Sequence, residues 1–444
     1  MACNLNSILG NYFWAENGKG ILRSTHLLVT RYCRQKKIGI IKYFYTFPFV
    51  YLRNMTMIAT TLNYDIPFVV ADVLFSSEEG AEGIRLPTND FPVLPFLSDV
   101  THKPVFLKQK LYIIQPNICL AIAGVEHELA PFVREFRTRC KYYSNFGTRK
   151  VTKEQIMEFL EEHKLDETLT ESGFLISHVG YNEDNKPETW NHFTRGDWGQ
   201  IDDDIFEGAL AFGSGKEQFF NHIQQPIDVT SSHENGNIHR AVQMNITFVS
   251  KLLAIERATL SNLQNAWGAG YEIAYFNGTT FKKIENNAYV ICHGNFDSIG
   301  EIGVPVPRLI LYYNYNNENL IITAVELYKI TITLKGEHII FRSDFPDFFV
   351  NIYIVPSIEQ RESDPPIEIA AKFSFLTSAI SFSYAIITPS NGIFNPAFYT
   401  VSKDVSVEFV ENKFVEIRLH SDLNDMVRDG AKKAYPNILK DKNE

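Results

Sequence analysis

Short runs of apolar and polar positions assign much of this chain to individual elements. Met57, Ile58, Thr60, Thr61 and Leu62 read as a strand, Asn63-Tyr64-Asp65 as a turn, and 66–74 as the returning strand of a hairpin. Residues 78–100, with Gly80, Gly83, Pro87, Pro92 and Pro95, predict a loop. Residues 110–114 and 118–122 form a second strand pair around Pro116-Asn117. Leu129, Phe132, Val133 and Phe136 then recur at helical spacing. A second helix is announced by Thr152, with Gln155 three residues later completing a capping-box pattern, and presents Ile156, Phe159 and Leu160 on one face.

Two strands are predicted at 173–181 and about 188–195. A third helix follows Gly213-Ser214-Gly215 and carries Phe219, Phe220 and Ile223. A long helix is predicted over 238–266, with Val242, Ile246, Val249, Leu253 and Leu260 at helical spacing. Beyond about 290 the texture turns to strands. Ile330, Ile332 and Leu334 alternate with Thr331, Thr333 and Lys335, and Val415, Ile417 and Leu419 with Glu416, Arg418 and His420. Both patterns predict half-buried strands. Residues 358–366 read as an acidic loop, and Ser421 as the cap of a last short helix.

Composition narrows the class. The chain has 444 residues, 45% hydrophobic and 21% charged, which suits a globular protein of two or three domains. The net charge of −10 argues against general nucleic-acid binding, because phosphates are neutralised by Lys and Arg. Residues 1–54 are the exception, with eight Lys/Arg against the single acid Glu16. Five scattered cysteines show neither metal-type spacing nor a disulfide framework, and predict reduced thiols in a cytoplasmic protein. The apolar run 38–52, interrupted by Lys42, is too short for a membrane span. His127, His178, His192, His222, His233 and His239 have no metal-ligand spacing, and Asp202-Asp203-Asp204 reads as a solvated turn.

The segment 55–77, MTMIATTLNYDIPFVVADVLFSS, resembles the start of proteasome β subunits and the related bacterial heat-shock peptidase. Sixteen positions separate Thr56 from Asp72, as in that N-terminal-nucleophile (Ntn) hydrolase family. The segment 110–124 is similar to the family's lysine strand and A-G turn, with fourteen positions between Lys110 and Gly124. Residues 174–193, 209–220 and 264–278 continue the likeness in order, through a middle hairpin, a G-S-G turn and a final catalytic turn.

That resemblance implies an α+β fold, a four-layer αββα Ntn-hydrolase sandwich at 56–290. An N-terminal extension at 1–55 would precede it and an additional β-rich C-terminal domain at 291–444 would follow. It implies a threonine peptidase or amidohydrolase that cleaves peptide or amide bonds through an acyl-enzyme, with no cofactor and no metal. Thr56 would be the nucleophile, with its own α-amine as base. Lys110 would lower the hydroxyl pKa, Asp72 would fix Lys110, the Gly124 N–H would stabilise the oxyanion, and Ser214 would orient the amine. Asn265 stands where the family has Asp, and Gly268 where it has Ser, so the amine loses a charge and a hydroxyl that would support it. A catalytically inactive scaffold of the same fold is the alternative. A free amine on Thr56 requires either translation from Met55 with removal of that methionine, or cleavage between Met55 and Thr56. The family assembles into rings, which implies a homo-oligomer acting on a peptide or amide substrate, without nucleic acid or membrane.

Overall fold

The computed structural model describes residues 41–44, 56–77, 84–89, 103–146, 150–164, 169, 172–184, 186–194, 198–201, 207–223, 236–260, 266–295, 303–316, 318–360, 379–387, 393–400, 405–410 and 413–434. Asn265, the Asp202–Asp204 triplet, His233 and most of the predicted acidic loop lie outside them.

The first hairpin forms because Tyr64 and Asp65 both take a positive φ, which closes a tight turn between Ile58–Asn63 and Ile66–Asp72. These strands are central in a six-stranded sheet with Gly199–Ile201, Glu207–Phe212, Tyr271–Phe276 and Phe281–Lys283. A four-stranded antiparallel sheet, Leu111–Gln115, Ile118–Ala123, Gly173–Tyr181 and Pro187–Phe193, contributes to the same buried cluster. Ile58, Val69, Ala71 and Phe212 of the first sheet share it with Leu111, Cys119, Ala121 and Leu175 of the second.

Helices α1 (Glu126–Phe146) and α2 (Lys153–Glu162) place Leu129, Phe132, Phe136, Ile156 and Phe159 in one apolar cluster with Leu120, Ile122 and Phe174 of the four-stranded sheet. Both halves of the capping box at α2 are formed: Thr152 Oγ1 accepts the Gln155 N–H, and the Gln155 side chain accepts the Thr152 N–H. Helix α3 (Lys216–Ile223) buries Phe219, Phe220 and Ile223. Helix α4 (Asn237–Thr259) ends at Leu260, which takes the left-handed conformation, short of the residue 266 that periodicity predicts.

The expectation of an α+β four-layer αββα Ntn-hydrolase sandwich with an appended β-rich domain is overturned. Strand dominates, spread over five sheets, with five helices among the described residues. The long helix shows why. Its buried residues run almost continuously from Met244 to Ala254, so it has no solvated outer face over that stretch. It packs against Asn287–Asn295, Ala379–Ile387 and Ala397–Thr400, strands of an eight-stranded sheet that also contains Val306–Asn316, Asn319–Leu327, Phe348–Val355 and Ile41–Phe44. One apolar cluster runs from Met57 and Val70 through Val249 and Leu253 to Leu309, Ile322 and Tyr353. A helical layer that would face water in a closed sandwich is therefore covered by more sheet.

A small sheet, Thr331–Lys335, His338–Asp344, Phe414–His420 and Ser406–Val410, carries the two alternating patterns. Val415, Ile417 and Leu419 are buried as the alternation predicts. The edge strand Thr331–Lys335 is a strand, but not a half-buried one: Ile332 is 43% and Leu334 74% exposed. Its apolar face extends past the edge of the core that Ile339 and Phe341 enter. Helix α5 (Ser421–Ala434) follows the last strand directly.

Candidate functional site

Register explains the spacing of sixteen. Ile58 pairs with Ala71, so the strand beginning before Ile58 brings Met57 opposite Asp72, and the Asp72 N–H donates to the Met57 carbonyl at 3.0 Å. Thr56 then lies one residue beyond this pair, and its hydroxyl donates to Asp72 Oδ1 at 2.6 Å. The same Oδ1 accepts the Met57 N–H at 2.9 Å and the Lys110 ammonium at 2.8 Å, while Oδ2 accepts the Gly268 N–H at 2.9 Å.

Lys110 reaches this point from a different sheet. Its backbone N–H and that of Leu111 donate to Glu272 Oε2 at 2.9 and 3.2 Å, and its carbonyl accepts the Ile122 N–H. Its Nζ donates to Thr56 Oγ1, Asp72 Oδ1 and the Leu74 carbonyl, which uses all three ammonium protons. The Phe75 ring lies 4.6 Å away. Thr56, Asp72 and Lys110 are each 0% exposed. Burial pulls the Lys110 pKa below its ordinary value, and the Asp72 charge and hydrogen bond oppose that shift.

The threonine hydroxyl thus donates to a carboxylate and accepts from an ammonium. The ammonium charge favours an alkoxide on Thr56, and the carboxylate charge opposes one.

The other expected residues are placed as follows. Gly213-Ser214-Gly215 lies against Thr56: the Gly215 N–H donates to the Thr56 carbonyl at 3.4 Å, and Gly213 has a φ of 98°. Ser214 Oγ is buried and has no hydrogen-bond partner among the described residues. Gly124, with a φ of 120°, joins Ile118–Ala123 to α1 and follows Ala123, which shares a buried cluster with Ile58 and Ala71. Gly268 has a φ of 113° and supplies its N–H to Asp72.

Neither a family model nor a curated protein matches the chain. The chemistry therefore rests on the residues themselves.

Two acids belong to this neighbourhood that motif reading does not select. Glu272 accepts from Lys283 Nζ at 2.6 Å and from the Tyr315 hydroxyl at 3.1 Å, besides the two backbone N–H groups of the Lys110 strand. Glu256, at 0% exposure, accepts the Ala269 N–H on both oxygens at 3.0 and 3.1 Å and also bonds to Thr88 Oγ1. Burial lifts its carboxyl to about 7. Each has a trace in the sequence: Glu256 falls three residues after Leu253 on an apolar helix face, and Glu272 sits in the apolar run YEIAYF. Among the described residues, no group of three or more His, Cys, Asp or Glu is arranged to hold a metal, and no helix is long and apolar enough to cross a membrane.

Proposed function

We propose that this protein is a threonine-type hydrolase of peptide or amide bonds, with Thr56 as nucleophile once it is the first residue of the chain. The observation that carries the reading is the contact of one buried ammonium, Lys110 Nζ, with both Thr56 Oγ1 and Asp72 Oδ1. In the proposed reaction the free α-amine of Thr56 takes the hydroxyl proton as Oγ1 attacks the carbonyl carbon. The Lys110 charge stabilises the developing negative charge on Oγ1, and the Gly124 N–H receives the oxyanion. Collapse expels the amine leaving group, which takes the proton, and leaves an ester on Thr56. Water then attacks that ester, the bond between the acyl carbon and Oγ1 breaks, and the acyl group leaves as a carboxylic acid while Oγ1 regains its proton.

The buried thiols Cys119, Cys140 and Cys292 are compatible with a cytoplasmic site of action. Likeness to a ring-forming family extends the proposal to a homo-oligomer.

Complete burial of Thr56, Asp72 and Lys110 favours a second reading, in which the same groups form an internal polar tie in a non-catalytic scaffold. One experiment separates the two. The N-terminal residue of the mature protein is determined, and the protein is treated with a threonine-directed electrophile and mapped by peptide mass. An adduct on Thr56 that is absent from Thr56→Ala supports the hydrolase. A correctly processed protein that takes no adduct supports the scaffold.

A further inference from the structure

The carboxylate of Asp72 is held from two directions, and only one of them is the Thr56–Lys110 side. Its second oxygen, Oδ2, is held by the N–H of Gly268, and the next N–H, that of Ala269, is held by Glu256. Two successive backbone N–H groups thus point at two buried acids, one on each. Glu256 also occupies the space beside Gly268: a Cβ there would lie 2.1 Å from Glu256 Oε2. The 266–269 turn is accordingly shaped around the Glu256 carboxyl, and the turn in turn holds Asp72.

We infer that Glu256 is a positioning residue for the Thr56–Asp72–Lys110 centre, fixing the Asp72 carboxylate through the Gly268-Ala269 backbone. The part of this inference that concerns Thr56 reactivity rests on the hydrolase reading above; the part that concerns Asp72 does not.

Other ties converge on the same acid. Thr88 Oγ1 donates to Glu256 Oε1, and the Tyr271 hydroxyl lies 3.4 Å from Oε2. Arg257, the next residue on α4, bonds to the Thr88 carbonyl and to Glu326, so the 84–89 segment is bound to the end of α4 at two points. The charged and titratable groups facing Glu256 are Asp72 and Tyr271 across the turn and Tyr313 from the eight-stranded sheet, with Arg257 beside it on the helix. The largest influence on its titration is burial, and the nearby Asp72 charge acts in the same direction. A change in the charge of Glu256 is therefore felt by Asp72 both through space and through the shared turn.

The test uses the full chain, Glu256→Gln and Thr88→Val. Backbone amide exchange at Gly268 and Ala269 is measured by mass spectrometry with fragmentation. The rate of Thr56 labelling by the electrophile is followed from about pH 5 to about pH 9. Loss of one hydrogen bond to a buried acid corresponds to about tenfold faster exchange at these two amides. Glu256→Gln is expected to show that increase with circular dichroism unchanged, and to lose the part of the labelling profile that Glu256 contributes at about pH 7, while the rise from the Thr56 α-amine at about pH 8 remains. Thr88→Val is expected to change both in the same direction by less. Unchanged exchange at Gly268 and Ala269 in Glu256→Gln overturns the inference. Faster exchange with an identical labelling rate and pH profile also overturns it, since Glu256 would then be only a structural tie. If wild-type Thr56 takes no label while the two amides still loosen, the hydrolase reading fails and the fixing of Asp72 by Glu256 stands.

Discussion

The Lys110 ammonium and the Thr56 hydroxyl meet on the same atom, Oδ1 of Asp72, at 2.8 and 2.6 Å. Lys110 and Thr56 lie just before strands of different sheets, Leu111–Gln115 and Ile58–Asn63, so this atom is where the entries to the two sheets are tied by charge. Removing one partner leaves the other as an uncompensated charge in a site with no exposure to water. Lys110→Met and Asp72→Asn are each expected to cost about 3–5 kcal/mol in urea unfolding. The double variant is expected to cost clearly less than the two together, because no buried ion remains unpaired. Additive losses would show that the pair does not act as a unit.

Thr56 itself contributes less to folding than to reactivity. Replacing it by Ala removes one hydroxyl that bonds to two charged partners, worth about 1.5–3 kcal/mol. Thr56→Ser keeps the oxygen and is expected to retain labelling by a threonine-directed electrophile, whereas Thr56→Ala abolishes it. Labelling that persists in Thr56→Ala would place the reactive group elsewhere.

The raised carboxyl of Glu256 makes stability depend on pH in a defined direction. Burial lifts it from 4.5 to about 7, so between these values the native state holds a proton that the unfolded chain has released. The stability this gives is fully present below about pH 4.5 and is lost as pH rises to about 7, roughly 3 kcal/mol for a shift of this size. Glu256→Gln cannot ionise and lacks this component. Unfolding free energies of the two proteins across that window are expected to diverge from one another as pH rises. Parallel curves would show that Glu256 does not titrate there.

Two strands with the same alternating pattern differ in what their apolar residues do. Leu419 is buried, and Leu419→Ala is expected to destabilise by about 2–5 kcal/mol. Leu334 is 74% exposed at the sheet edge, and Leu334→Thr is expected to change stability by less than about 0.5 kcal/mol. Thermal melts of the two variants decide this directly.

That contrast marks the limit of reading this chain. Period reports the local conformation, so Thr331–Lys335 and Phe414–His420 are both legible as strands. Which face another sheet covers is a long-range fact, and alternation does not carry it. The same limit accounts for the layer order: the helical spacing of Val242 to Leu253 is visible, but its burial beneath strands at 287–295, 379–387 and 397–400 is not. Within the site, Thr56, Asp72 and Lys110 were singled out by their likeness to a family motif, and hairpin register accounts for the sixteen positions between the first two. Glu256 was not, since its partners Thr88 and Ala269 lie in segments without a periodic pattern.

Gly213 offers a test of how tightly Thr56 is seated. Its φ of 98° is one that residues with a Cβ adopt only under strain, and a Cβ there would lie 2.0 Å from the Thr56 carbonyl oxygen and 2.8 Å from its carbon. Both are backbone atoms, so no side-chain rotation relieves the clash and the turn must move away from Thr56. Gly208 is a control, because its φ is also positive at 56° but a Cβ would meet nothing within 4 Å among the described residues. Gly208→Ala is expected to cost about 1–2 kcal/mol, the conformational strain alone. Gly213→Ala adds overpacking of a further ~1–3 kcal/mol and displaces the hydroxyl from Asp72, so Thr56 labelling is expected to fall with it. Equal losses of stability in the two variants, with labelling intact in Gly213→Ala, would show that the 213–215 turn does not position Thr56.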